Sequence, residues 1–183
     1  AYPKRNTTKS LAMQERDSLT FSPEGVCHPF TVTLRIKGGA GTVCKVLCSE
    51  GEAVVSVGED GKVTLTTPSG SKLTSSNALT ATGRHYVTLT SYYAQRRTLL
   101  YLDRVCAGEV SERLGKVSQV VVGGSPREMS ELFFWRSAMT PEEITAVCNG
   151  KMLKSSLEIY SPLSDEDGVS NLAQSTNTLT LKR

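Results

Sequence analysis

The side chains of this 183-residue chain best suited to bind a transition metal or act as nucleophiles are five cysteines and two histidines. They are Cys27, Cys44, Cys48, Cys106 and Cys148, with His28 and His85. Cys44-Lys45-Val46-Leu47-Cys48, with Cys27-His28 as a second pair, suggests zinc. On a strand, positions four apart face the same way but lie about 13 Å apart. One tetrahedral ion with Zn–S bonds of about 2.3 Å reaches both only if the strand bends. The expected role of these thiols is therefore core packing as small apolar groups. The two histidines fall in no Ser-His-Asp or Cys-His signature. An odd number of cysteines, scattered singly, is a poor disulfide framework. Free thiols favour a reducing compartment, so a cytoplasmic protein is expected. The alternative is a secreted or surface domain cut from a longer chain. The Ala1 start fits processing or excision, and Asn6-Thr7-Thr8 is a glycosylation sequon.

Two groups of residues could bind a ligand without catalysis. Tyr92, Tyr93, Arg96 and Arg97 cluster in one hairpin. Aromatic rings and guanidinium groups favour sugar stacking and interface contacts. The run Ser164-Asp165-Glu166-Asp167-Gly168 offers the best oxygens for calcium, though it lacks a recognisable calcium loop. No cofactor is expected. Lys plus Arg number 21 and Asp plus Glu 18, a net charge of +3, which is too little for a nucleic-acid partner. No run approaches the ~18–20 apolar residues of a membrane span.

The elements that would position these groups are mostly strands. Phe30, Val32, Leu34 and Ile36 alternate with Thr31, Thr33 and Arg35, the pattern of a half-buried strand. Further strands are expected near Leu19–Phe21, 42–47, 53–57, 62–67, 85–90, 98–102, 105–109, 117–122 and 131–135. Gly58-Glu59-Asp60-Gly61 reads as a hairpin turn. Residues 68–77, rich in Ser and Gly, read as a loop. Thr140-Pro141-Glu142-Glu143 forms a capping box with Pro at the first helical position. It opens one short helix near 140–149, with Ile144 and Val147 as its apolar stripe and Asn149-Gly150 as its end. Leu157–Tyr160 and Thr178–Leu181 are the closing strands. An all-β antiparallel sandwich follows, as a single domain over 1–183 with residues 1–12 as a loose arm.

Three segments resemble the laminin-G-like branch of the concanavalin A-like lectin/glucanase superfamily. They are Pro29–Leu34, the pair Arg84–Thr90 with Thr98–Asp103, and Glu131–Ile144, where the family often reads "rIynraLsaeEI". Leu157–Leu181 is similar to a strand pair that usually opens such domains. A fainter similarity is to the lectin-like domain of kinetoplastid trans-sialidases. The resemblance implies a jelly roll whose concave sheet often binds glycans. It also requires a test for hydrolysis, because retaining glycosidases need two carboxyl groups about 5 Å apart. The family's E-x-D-x-x-E strand has no counterpart here, and Glu50, Glu52 and Glu158 are single carboxylates or wrongly spaced. The sialidase arginine triad and Asp-boxes are missing. So is the galectin His-x-Asn-x-Arg strand, and Trp135 is expected in the core with its indole N–H bonded. The expected function is a non-catalytic recognition module binding carbohydrate on the concave sheet. The alternative is an intracellular protein-interaction module that has lost sugar binding.

Overall fold

The computed structural model describes residues 5, 8–25, 27–164 and 169–183. The strands run β1 (Leu11–Met13), β2 (Ser18–Phe21), β3 (Phe30–Lys37), β4 (Gly41–Cys48), β5 (Gly51–Val57), β6 (Lys62–Thr66) and β7 (Lys72–Ala78). They continue as β8 (Arg84–Tyr92), β9 (Arg97–Leu102), β10 (Val105–Val110), β11 (Gln119–Gly123) and β12 (Arg127–Trp135). Helix α1 (Pro141–Cys148) precedes β13 (Leu157–Ser161) and β14 (Thr180–Lys182).

All described pairings are antiparallel, and they build two seven-stranded sheets. The first runs β1-β12-β3-β8-β9-β10, with β13 also paired to β12. The second runs β14-β2-β11-β4-β5-β6-β7. Alternation turns Phe30, Val32, Leu34 and Ile36 of β3 toward Val120, Val122, Val55 and Leu65 of the other sheet, in one apolar core. Each such aliphatic or aromatic side chain contributes roughly 1.5–3 kcal/mol when fully buried.

The closing strands wrap back into both sheets. β13 joins the first through β12 and β14 joins the second through β2, so the two do not pair with each other. Residues 68–77, expected as a loop, instead supply most of the edge strand β7. Its signal is weak because its residues are mainly Lys, Thr, Ser and Asn. The strand is held by hydroxyls, with Ser75 Oγ accepting from Val63 N–H at 2.9 Å and Thr74 bonded to Thr64 at 2.9 Å. Of the 1–12 stretch expected as a loose arm, Leu11 and Ala12 belong to β1, where Leu11 is buried, as is the following Met13. The sequon at Asn6-Thr7 and the acidic run 165–168 lie outside the described residues.

Helix α1 forms where the sequence places it. Thr140 Oγ1 accepts from Glu143 N–H at 3.2 Å, and Glu143 Oε1 accepts from Thr140 N–H at 2.9 Å. This reciprocal box satisfies two of the N–H groups that a helix start leaves unpaired. Asn149 caps the other end. No helix is long and apolar enough to cross a membrane among the described residues.

Candidate functional site

The two outer faces of the sandwich have different surroundings. On the first sheet, large outward side chains of β8, β9, β12 and β13 form a second core with α1. Tyr86, Leu99, Tyr101, Phe133, Trp135 and Tyr160 pack with Met139, Ile144 and Val147. Phe133 and Trp135 stack with centroids 4.9 Å apart, and the Trp135 indole N–H donates to Leu153 O at 2.8 Å. The β3 threonines expected to face solvent are buried beneath this layer. Thr31 and Thr33 are hydrogen-bonded across the sheet to Thr90 and Thr88, each at 2.9 Å.

A buried ion pair completes the cover. The Glu131 carboxylate, fully buried, accepts from Arg5 Nε at 2.7 Å and Arg5 Nη2 at 2.8 Å. It also accepts from the hydroxyls of Tyr86 at 2.8 Å and Tyr160 at 2.7 Å. Arg5 donates in turn to Val147 O and Lys151 O at the end of α1, where partial negative charge gathers. Burial pulls the Arg5 guanidinium down, but the Glu131 hydrogen bond and charge leave its pKa raised. Burial, then the Glu131 charge, pushes the Tyr86 phenol above its ordinary value. Arg5 and Glu131 are 126 positions apart, and neither carried a local signal.

The hairpin residues Tyr92, Tyr93, Arg96 and Arg97 do meet at the β8–β9 turn, but three of them have intramolecular partners. The Tyr92 hydroxyl donates to Met139 O at 2.9 Å, fixing the approach to α1. Arg97 pairs with Glu109 at 2.7 Å and lies over the Tyr92 ring. Tyr93 stacks on His28 with centroids 3.9 Å apart, and Arg113 covers it at 4.4 Å. Arg96 is exposed at the turn with φ of 54°.

At the opposite end of β8 the fold assembles a chain of groups that the sequence did not suggest. Thr80 Oγ1 lies 2.8 Å from His85 Nε2, and His85 Nδ1 lies 2.9 Å from Asp103 Oδ2. Thr80 N–H also donates to Nε2 at 3.2 Å, which makes that nitrogen the acceptor and places the ring proton on Nδ1. The order matches a nucleophile–base–acid relay. The hydroxyl, however, is tied into its own turn, because it accepts from Gly83 N–H at 3.1 Å. A methyl group on Gly83 would sit 2.4 Å from that oxygen, so the turn closes tightly around it. The chain of bonds holds the β7–β8 turn to the β9–β10 turn beside a cavity of about 250 Å³. Glu59 and Asp60 also line that cavity.

All five cysteines are free thiols. Burial pushes Cys44 up to about 12 and Cys27 and Cys148 up to about 11, so these are poor nucleophiles. No group of three or more His, Cys, Asp or Glu able to hold a metal occurs among the described residues.

The outer face of the second sheet is open. Its outward positions include Thr20 of β2, Lys45 of β4, Ser56 of β5, Thr64 and Thr66 of β6, and Thr74 of β7. All are partly or fully exposed, and none is aromatic. Between Thr20 and Thr66 the outward row passes through Val121, Lys45 and Val54, so this face mixes exposed hydroxyls with a mid-sheet lysine and two half-buried valines.

No family model matches the chain, and no curated protein matches it. Solved structures do. A heptameric pentraxin from Limulus polyphemus aligns over 99% of this chain and 92% of its own, at 15% identity and a TM-score of 0.61. A candidate carbohydrate-binding protein from Bacteroides ovatus aligns over 96% of this chain and 58% of its own, at 15% identity and a TM-score of 0.73. The LG4-5 domains of the mouse laminin α1 chain align over 78% and 46%, at 14% identity and a TM-score of 0.59. The fold is the concanavalin A-like jelly roll shared by pentraxin and laminin-G domains.

Proposed function

We propose that the protein is a non-catalytic, lectin-like module that binds carbohydrate on the open outer face of its second sheet. The difference between the two outer faces carries this reading. One face is filled by the chain's own helix and Arg5, and the other presents hydroxyls and ammonium groups to solvent. Sugars are recognised through many hydroxyl contacts, and rows of Thr and Ser both donate and accept such bonds. The similarity to a candidate carbohydrate-binding protein supports the same reading. From the sequence the glycan is expected on the concave sheet, and our proposal is that it binds on the outer face of the second sheet. The β8–β9 hairpin, with Arg96 outermost, is a secondary contact at one end. Five free thiols support a reducing compartment.

Several observations favour this reading over its rivals. The Thr80 hydroxyl is held inside a turn, which argues against acyl transfer. The large hydrophobics exposed among the described residues are Val105 and Leu172, on separate elements, and they make no apolar patch of the kind that marks many protein interfaces. A glycan array with and without calcium tests the proposal. Saturable binding that falls when Thr64 and Thr66 are changed to Val supports it. A blank in both buffers overturns it and points to protein recognition.

A further inference from the structure

The Arg5 guanidinium is held more completely than a simple ion pair requires. A guanidinium has five N–H donors, and here each of them has an acceptor. Nε and Nη2 grip the two Glu131 oxygens at 2.7 and 2.8 Å, a bidentate pair. Nη2 also donates to the Tyr86 hydroxyl at 2.6 Å. Nη1 donates to Val147 O at 3.0 Å and to Lys151 O at 2.7 Å. The Phe133 ring centroid lies 4.8 Å from the guanidinium carbon, a cation–π contact. The Tyr86 and Tyr160 hydroxyls each donate to one Glu131 oxygen, filling the lone pairs that Arg5 leaves.

Every acceptor in this cup comes from the folded body. Glu131 and Phe133 belong to β12, Tyr86 to β8, Tyr160 to β13, and Val147 and Lys151 to α1 and the turn after it. Only the guanidinium comes from elsewhere, because Arg5 precedes β1 and lies in no strand or helix. The two tyrosines bond Glu131 independently of Arg5, so the carboxylate stays aimed when the guanidinium leaves. The cup meets the surface at Lys151, which is exposed together with Asn149 and Gly150. Its shape discriminates. A lysine ammonium is a point charge with three donors and cannot span both Glu131 oxygens and both carbonyls.

We infer that the covered face of the first sheet holds a receptor for the arginine side chain of a peptide, and that Arg5 keeps it closed in cis. A short tether gives its occupant an effective concentration on the order of millimolar. A free arginine peptide of equal affinity therefore competes poorly with Arg5 in the intact chain. Displacement or loss of Arg5 opens the cup to an arginine on another chain. The partner that fits is a peptide segment presenting an arginine, not a generally basic surface. This site lies on the other sheet from the proposed glycan face and does not depend on it.

The test uses the full chain carrying Arg5→Ala, titrated with a synthetic peptide of residues 1–10 and with the same peptide carrying Arg5→Lys. The expected result is saturable binding of the arginine peptide that moves the amides of residues 86, 131–133, 147–151 and 160. The lysine peptide should bind about tenfold more weakly, a loss of roughly 1.4 kcal/mol. The intact chain should also bind the arginine peptide about tenfold more weakly than the variant does, because its own Arg5 competes. N-ethylguanidinium, the part of the side chain that the substitution removes, should raise the variant's melting temperature at millimolar concentration, and ethylammonium should not. If the variant does not fold alone, refolding in each of these two salts still decides. Recovery with ethylguanidinium only supports the receptor, and recovery with both alike, or with neither, overturns it. Equal binding of the two peptides overturns the inference. So does equal binding by the intact chain and the variant, because the peptide then sits elsewhere. A folded variant that neither binds the arginine peptide nor responds to ethylguanidinium overturns it too, and leaves Arg5 a purely structural role.

Discussion

The outward threonines of the two sheets have opposite surroundings. Thr31 and Thr33 on the first sheet are buried and paired across strands with Thr90 and Thr88. Thr64 on the second sheet pairs with Thr74 at the same 2.9 Å distance, yet both face solvent. The alternation of strand residues is identical in the two cases. What differs is the next layer, where α1 and Arg5 cover the first sheet. A hydroxyl row buried against a helix cements the fold. The same row left bare is free to bind, and the cover decides which role it has.

Removing the cover should have the largest effect. Glu131→Ala leaves the Arg5 charge buried without its partner, and we expect a loss of about 3–5 kcal/mol in urea unfolding. A loss below ~1 kcal/mol would mean that the ion pair does not hold the arm. Next comes the helix start, where Thr140→Ala removes the capping box and should cost about 1 kcal/mol. On the bare face the comparison reverses. Thr64→Val should change stability by less than about 0.5 kcal/mol and should instead lower glycan affinity. If it destabilised the protein as a buried change does, the face would not be open.

Two solution measurements sharpen the same contrast. The Tyr86 phenol is raised above its ordinary value of 10.0, first by burial and then by Glu131. The folded state therefore holds this proton more tightly than the unfolded chain. The stabilisation is fully present below pH 10 and is lost as pH rises above it. Melting temperature should fall more steeply above pH 10 in the native protein than in Tyr86→Phe, and matching slopes would remove Tyr86 from the account. The smallest effect concerns thiols. Cys106 is exposed and should react with a disulfide reagent in the folded state. Cys44, raised to about 12 by burial, should react only after unfolding. Early labelling of Cys44 would contradict the core as described.

Much of the fold was legible because its signals are local. The apolar period of β3, the Asp60-Gly61 turn and the Thr140–Glu143 box each lie within a few residues. β7 was not legible, because an edge strand of Lys, Thr, Ser and Asn carries no apolar alternation. Nor did β3 reveal that both its faces are buried, since threonine suits solvent and buried hydroxyl pairs equally. The site was less legible than the fold. Thr20, Val121 and Lys45 share a face only when β2, β11 and β4 align side by side. The Tyr92 cluster, by contrast, was visible as an aromatic and basic run, and most of it turned out to have partners within the chain.

The central claim is that recognition uses the bare sheet, and amide-shift mapping with the tightest-binding array glycan tests it most directly. The account predicts shifts confined to outward positions of β2, β4, β5, β6 and β11, with α1 and the outward residues of β12 unmoved. Shifts centred on α1, or on the Tyr92–Arg97 turn with the second sheet silent, would contradict it.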